Sequence, residues 1–170
     1  VRGKDVIGDE TKDVKKTQVA DEYAKMVPAT LLISIENIYG YWGKIVSYPE
    51  EADDQQTEWL ENVYKNQNKL QHWSTSAPEN YQHKYDLVAA ELYRVIGQKL
   101  DAMEKYDSAI AGAKANAYIQ EEALANELAA RFYLSWGKEK VAAGYMQEAY
   151  YCYSRWGAGA KLADLKHRYP

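Results

Sequence analysis

The side chains able to do chemistry are few and scattered. Adjacent carboxylates stand at Asp53–Asp54 and at Glu121–Glu122. General acid–base work needs two carboxylates in different environments across a cleft. Neighbours on a helix point about 100° apart, so these pairs read as charged surface or as helix N-termini, where acidic groups complement the macrodipole. A lone Cys152 excludes an internal disulfide and any Cys-cluster zinc site. It lies in Tyr151-Cys152-Tyr153 with no histidine close in sequence to act as a base, and so reads as a small core residue. His72, His83 and His167 are too few and too far apart for a histidine metal centre.

Phosphate and zinc motifs are missing. Trp136-Gly137-Lys138 lacks the upstream glycine of a phosphate loop. Gly157-Ala158-Gly159 follows a helical pattern rather than a strand, and no H-E-x-x-H occurs. The residues therefore predict no catalytic group, no cofactor and no metal.

The elements that would position these side chains are all helical. The chain has 170 residues, 46% hydrophobic and 27% charged, which is a globular composition rather than a disordered one. A net charge of −4 lacks the basic balance of a general nucleic-acid binder. Sixteen Tyr and five Trp stand against one Phe. Such side chains combine apolar bulk with a polar tip and suit half-buried positions between helices or on a contact surface.

Apolar periodicity and breakers predict helices over 13–27, 28–46, 55–74, 78–96, 98–116, 119–136, 138–156 and 160–167, with a break over 74–79. Gly97, Gly137 and Gly157 close three of them. The apolar stretch from Met26 to Tyr48 is interrupted by Pro28, Glu36, Gly40, Gly43 and Lys44, so it reads as a buried helix rather than a membrane span. Val1-Arg2-Gly3-Lys4-Asp5 lacks a signal peptide's apolar core. A cytoplasmic chain is expected, and the missing initiator Met suggests an excised fragment.

An internal repeat has a spacing of 40 residues: Ala90 with Ala130, Tyr93 with Tyr133, Gly97 with Gly137, Ala102 with Ala142, and Ala109 with Ala149. Tyr106 corresponds to Met146 as the bulky residue of the second helix. Small residues let paired helices approach, aromatics fill the gaps and the glycine makes the turn. This is the order of a tetratricopeptide (TPR) unit, whose usual period is about 34 residues. The expected fold is all-α: a TPR-like, right-handed solenoid of antiparallel helix pairs, with about seven helices. Residues 28–170 form the array, and 1–27 remain an unplaced N-terminal segment.

Several stretches carry a family resemblance: Ala77-Pro78-Glu79-Asn80-Tyr81-Gln82-His83-Lys84-Tyr85, Tyr106-Asp107-Ser108-Ala109-Ile110, Glu121-Glu122-Ala123-Leu124-Ala125-Asn126-Glu127-Leu128 and Tyr151-Cys152-Tyr153-Ser154-Arg155-Trp156-Gly157. Together they resemble the helical region of large, mostly cyanobacterial, multi-sensor signalling kinases. Such proteins join a serine/threonine kinase, an AAA-type ATPase, a TPR-like array, a GAF sensor and a histidine kinase. The resemblance implies a non-catalytic interaction or scaffold module, and the kinase and ATPase residues lie in other parts of such chains. Within that setting His83 would be the candidate phosphoacceptor. Its flanks, Gln82 and Lys84, are not the acidic ones expected of a phosphoacceptor helix, and a structural or surface role is the simpler reading.

The first helix of each TPR-like pair lines the concave side. Counting from the small residue places Lys84, Leu87, Glu91 and Arg94 outward on one such helix, and Leu124, Glu127, Arg131 and Leu134 on the next. The expected partner is a protein or peptide, including other domains of the same chain, rather than nucleic acid or membrane. Arg94 and Arg131 are the expected anchors, since guanidinium pairs bidentately with carboxylate. The plainer alternative is that each only pairs with Glu91 or Glu127 along its own helix. The runner-up function is a small-molecule sensor, with a pocket built from Tyr39, Tyr41 and Trp42 or from Tyr145, Tyr150, Tyr151, Tyr153 and Trp156.

Overall fold

The computed structural model describes residues 53–169. The helices expected over 13–27 and 28–46, and the aromatic residues Tyr39, Tyr41 and Trp42, lie outside the described residues. Within them the chain is all-helical: α1 Asp53–Ser76, α2 Pro78–Val95, α3 Lys99–Ala115, α4 Ile119–Ser135, α5 Glu139–Trp156 and α6 Gly159–Arg168. The helix boundaries fall within about two residues of those expected from the pattern, the ordinary margin for helix ends. The break expected over 74–79 is shorter than the sequence suggested. Helix α1 runs through Ser76, and Ala77 alone separates it from Pro78, the first residue of α2. Proline has no N–H to leave unpaired in the first turn, so it starts a helix without cost.

The four later turns are copies of one another. Gly97, Ala117, Gly137 and Gly157, twenty residues apart, have φ of 81°, 61°, 72° and 84°. At each turn the following N–H reaches back to the carbonyl five residues earlier: Gln98 to Tyr93, Tyr118 to Ala113, Lys138 to Tyr133 and Ala158 to Tyr153, at 2.8–3.0 Å. This is the Schellman closure, which satisfies orphan carbonyls and needs a left-handed residue after the helix. Glycine adopts that conformation without a Cβ clash, whereas Ala117 adopts it at some cost. The next helix starts at once, so each helix folds back beside its predecessor.

Packing follows chain order, each helix against the one before it. Among the described residues three apolar clusters follow one another along the helices. Leu70 of α1 meets Val88 and Leu92 of α2. Leu87 and Ala90 of α2 join Tyr106 of α3, Leu124, Leu128 and Phe132 of α4, and Ala142 of α5. Ala123 of α4 joins Ala149, Cys152 and Tyr153 of α5 and Leu165 of α6. The alanines of the 40-residue repeat sit where helices touch: Ala90, Ala102, Ala109, Ala130, Ala142 and Ala149 are each at most 1% exposed. A methyl side chain at these points lets two backbones approach closely, and a larger one would force off-rotamer packing. Gly112 of α3 is tighter still, since a Cβ there would meet Cβ of His83 at 3.0 Å.

Candidate functional site

Four of the residues expected on the binding face come together. Glu91 and Arg94 of α2, with Arg131 and Leu134 of α4, line a surface concavity of about 220 Å³. Leu128, Phe132 and Ser135 of α4 add to the lining, and Tyr169, the residue after α6, supplies a further wall. Lys84, Leu87, Leu124 and Glu127 are not part of that lining.

The outward orientation expected for these positions needs correction. Lys84, Leu87, Glu91, Leu124 and Glu127 are buried, while Arg94 and Arg131 are half-buried and Leu134 is exposed. Leu87 and Leu124 belong to the central apolar cluster. The three charged residues are buried because each finds partners on a neighbouring helix, which a helical-wheel count cannot see. Oε1 of Glu91 accepts a hydrogen bond from Tyr106 of α3, and Oε2 accepts from Nε and Nη2 of Arg94 at 3.0 and 2.8 Å. Oε2 of Glu127 accepts from Tyr153 of α5 and Oε1 from Lys161 of α6, both at 2.8 Å, with Arg168 at 3.8 Å. Buried carboxylates are tolerated when paired and hydrogen-bonded in this way. The along-helix pairing of Arg94 with Glu91 is therefore real, and it fixes the guanidinium at the wall of the concavity.

Lys84 belongs to a separate buried cluster beside the α3–α4 turn. Its Nζ donates to the Asn80 carbonyl at 2.9 Å, lies 3.1 Å from Nε2 of His83 and 3.4 Å from Oε1 of Glu121, and sits 4.2 Å from the Tyr118 ring centroid. Burial lowers the Lys84 pKa although Glu121 pulls it upward. Burial, with Lys84 adding to it, brings His83 down from 6.5 to about 4. His83 is thus a neutral histidine only 2% exposed, its ring packed against Tyr118. A phosphoryl acceptor must be reachable by its donor, and this imidazole is not. His72 and His167 are exposed.

The other chemical candidates resolve into structure. Cys152 is buried, and burial followed by Glu122 raises its thiol pKa to about 11. Glu121 and Glu122 stand in the first turn of α4. The α5 aromatics do not surround one cavity: Tyr145 stacks on Tyr133 at 5.2 Å and donates to Asp107, Tyr153 is fully buried on Glu127, Tyr150 and Trp156 are half-buried, and Tyr151 is exposed. Among the described residues no group of His, Cys, Asp or Glu converges as metal ligands would. None of the described helices is long and apolar enough to cross a membrane.

Sequence reasoning missed Leu128, Phe132, Ser135 and Tyr169. The first three share a stripe of α4 with Arg131, at spacings of three and four, and that stripe was readable. Tyr169 follows α6, far along the chain from α2 and α4, and left no local signal.

The described residues thus define an all-α protein of antiparallel helices packed in chain order, with a mixed-charge concavity on α2 and α4. No protein-family model matches the chain, and no solved structure matches it. A stretch of 53 residues, 31% of the chain, is 45% identical to part of hybrid signal transduction histidine kinase G of Dictyostelium discoideum. The matched stretch is 2% of the length of that kinase.

Proposed function

We propose that this chain is a non-catalytic, TPR-like helical-repeat module of a larger signal-transduction kinase, and that it holds a protein partner or another domain of the same chain. The observation that carries this reading is the repeated turn. One Schellman closure recurs every twenty residues, and the alanines forty residues apart are all buried. A chain built this way stacks units in one direction and leaves a broad surface lined by alternate helices. The partial similarity to a hybrid histidine kinase supports the signalling context. In this reading residues 28–170 are the array, and the partner meets Arg94, Arg131 and Leu134.

The small-molecule sensor reading has less behind it. Ligand pockets usually measure about 300–1,000 Å³ and are mostly apolar. The concavity here is about 220 Å³, below that range, and none of the α5 aromatics lines it.

The test is capture of purified kinase and sensor domains from the parent protein by this chain, immobilised, with and without Arg131→Ala and Leu134→Ser. Capture of a domain by the native chain, weakened in the double variant with unchanged circular dichroism, is the expected result. Equal capture by both proteins removes this face from the reading, and no capture of any domain removes the scaffold role.

A further inference from the structure

We infer that the chain pairs with a second copy of itself through the end of the array formed by the α2–α3 and α4–α5 turns. The inference goes beyond the module reading and depends neither on the concavity nor on domain capture. Ile96 and Leu100 flank Gly97, and Trp136 and Val141 flank Gly137. The two turns are neighbours: Nζ of Lys99 lies 5.1 Å from the Trp136 ring centroid, and Nζ of Lys138 lies 5.6 Å from the same centroid.

Six large apolar residues are exposed among the described residues, and four of them, Ile96, Leu100, Leu134 and Val141, fall within four positions of Gly97 or Gly137. Leu100 is 73% exposed, in the first turn of α3. The opposite end of the helices is closed. Tyr118, Ile119 and Trp156, beside the turns at Ala117 and Gly157, are half-buried, and the last two pack against the cluster around Tyr153. The fold does not require apolar side chains at the open end. Forty residues along the repeat, Lys140 stands in the place of Leu100, and Asp101 holds the place that Val141 takes. Apolar side chains gathered on one exposed edge, with no packing role there, mark a contact surface.

Charge decides what covers it. Lys99, Lys138, Lys140, Asp101 and Glu139 are exposed at this end, and none of them forms an ion pair among the described residues. The two carboxylates stand in the first turns of α3 and α5, where the helix dipole favours them. Any occupant therefore meets both signs of charge on one small surface. An anionic lipid surface or an acidic peptide would satisfy the lysines and press its own negative charge on Asp101 and Glu139. A second copy turned about a two-fold axis offers anion to cation and cation to anion, because each contact in such an interface occurs twice with the roles exchanged. It also removes both apolar sets from water at once. An interface of one patch with its own copy is complete at two chains.

The test is sedimentation velocity on the 170-residue chain at neutral pH, over roughly 5 to 500 μM, a range that brackets a small interface. A monomer–dimer equilibrium is expected, with a Kd on the order of 50 μM. Leu100→Ser combined with Val141→Ser is expected to weaken it about tenfold or more. Lys99→Glu with Lys138→Glu gives an acidic end, and Asp101→Lys with Glu139→Lys gives a basic one. Each of these two proteins is expected to stay monomeric where the native chain is half dimeric, and their equimolar mixture to restore the dimer. Circular dichroism checks the fold of every variant. Should a charge variant unfold, Leu100→Ser alone, at a site with little packing to lose, decides the matter by the same loss of dimer. A native chain that stays monomeric throughout, a dimer indifferent to Leu100→Ser, or folded charge variants whose mixture stays monomeric each overturns the inference. So does Leu100-dependent binding of a monomeric chain to phosphatidylserine vesicles or to a poly-glutamate peptide, which assigns the end to that occupant. Domain capture by a monomeric chain sinks this inference alone, and a dimer that captures no domain sinks only the module reading.

Discussion

Acidification should unlock the cluster around His83, and the size of the effect follows from its surroundings. The imidazole is 2% exposed, between Lys84 and Tyr118, with Gly112 of α3 against its Cβ. Its Nε2 faces an ammonium group, so a proton there would place two cations 3.1 Å apart in a buried site. Glu121 faces the same ammonium from α4, and Tyr118 offers a ring face rather than a charge. Burial and Lys84 lower the pKa from 6.5 to about 4 in the folded chain. Between those values the unfolded chain binds more protons than the folded one, so stability falls as pH falls. The contribution is complete above pH 6.5 and exhausted below about pH 4. The full difference corresponds to about 3 kcal/mol, and at about pH 5 roughly 2 kcal/mol has been lost. Urea melts at several pH values between about 8 and 5, on the native chain and on His83→Gln, isolate this residue from the general acid response. Glutamine keeps an acceptor for Lys84 and does not titrate. The native chain should lose roughly 2 kcal/mol more than the variant across that range. Parallel stability curves for the two proteins would refute the reasoning.

Other perturbations test the helix contacts, the turns and the thiol. Ala130→Leu and Ala149→Leu should each cost about 1–3 kcal/mol by overpacking, read by chemical denaturation, because both alanines are fully buried; two neutral substitutions would show that the repeat register is misread. Ala117→Gly should stabilise the chain by up to about 1 kcal/mol, since it relieves a left-handed alanine at φ 61°; a loss of stability would place the residue in another conformation. Lys161→Met should speed amide exchange in α6 while leaving α2 and α3 unchanged, because its ammonium ties α6 to Glu127; unchanged exchange in α6 would show that apolar packing alone holds the helix. Cys152 should stay inert to a thiol reagent at neutral pH until urea unfolds the chain, given its burial and a pKa of about 11; rapid labelling of the native protein would contradict its place in the core.

The helices and their ends were legible in the sequence because they depend on near neighbours. Apolar spacing marked each helix, and Gly97, Gly137 and Gly157 marked the turns through a requirement of their own backbones. The 40-residue repeat also located Ala90, Ala130, Ala102 and Ala142 in the interior, since a small residue recurring at one position of paired helices has a packing cause. Ala117 escaped the reading because alanine gives no sign that it will take a positive φ, and only the fixed geometry of the flanking helices puts it there. The candidate site was half legible. Glu91, Arg94, Arg131 and Leu134, four of the eight residues expected on one face, line a shared concavity. The fate of Glu91, Glu127 and Lys84 was decided by tertiary structure. A charged residue reads as solvated from its own helix, and it enters the interior only when Tyr106, Tyr153, Lys161 or Glu121 arrives from another helix to satisfy it. Those partners lie 15 to 37 residues away in the chain, too far for any local pattern to register.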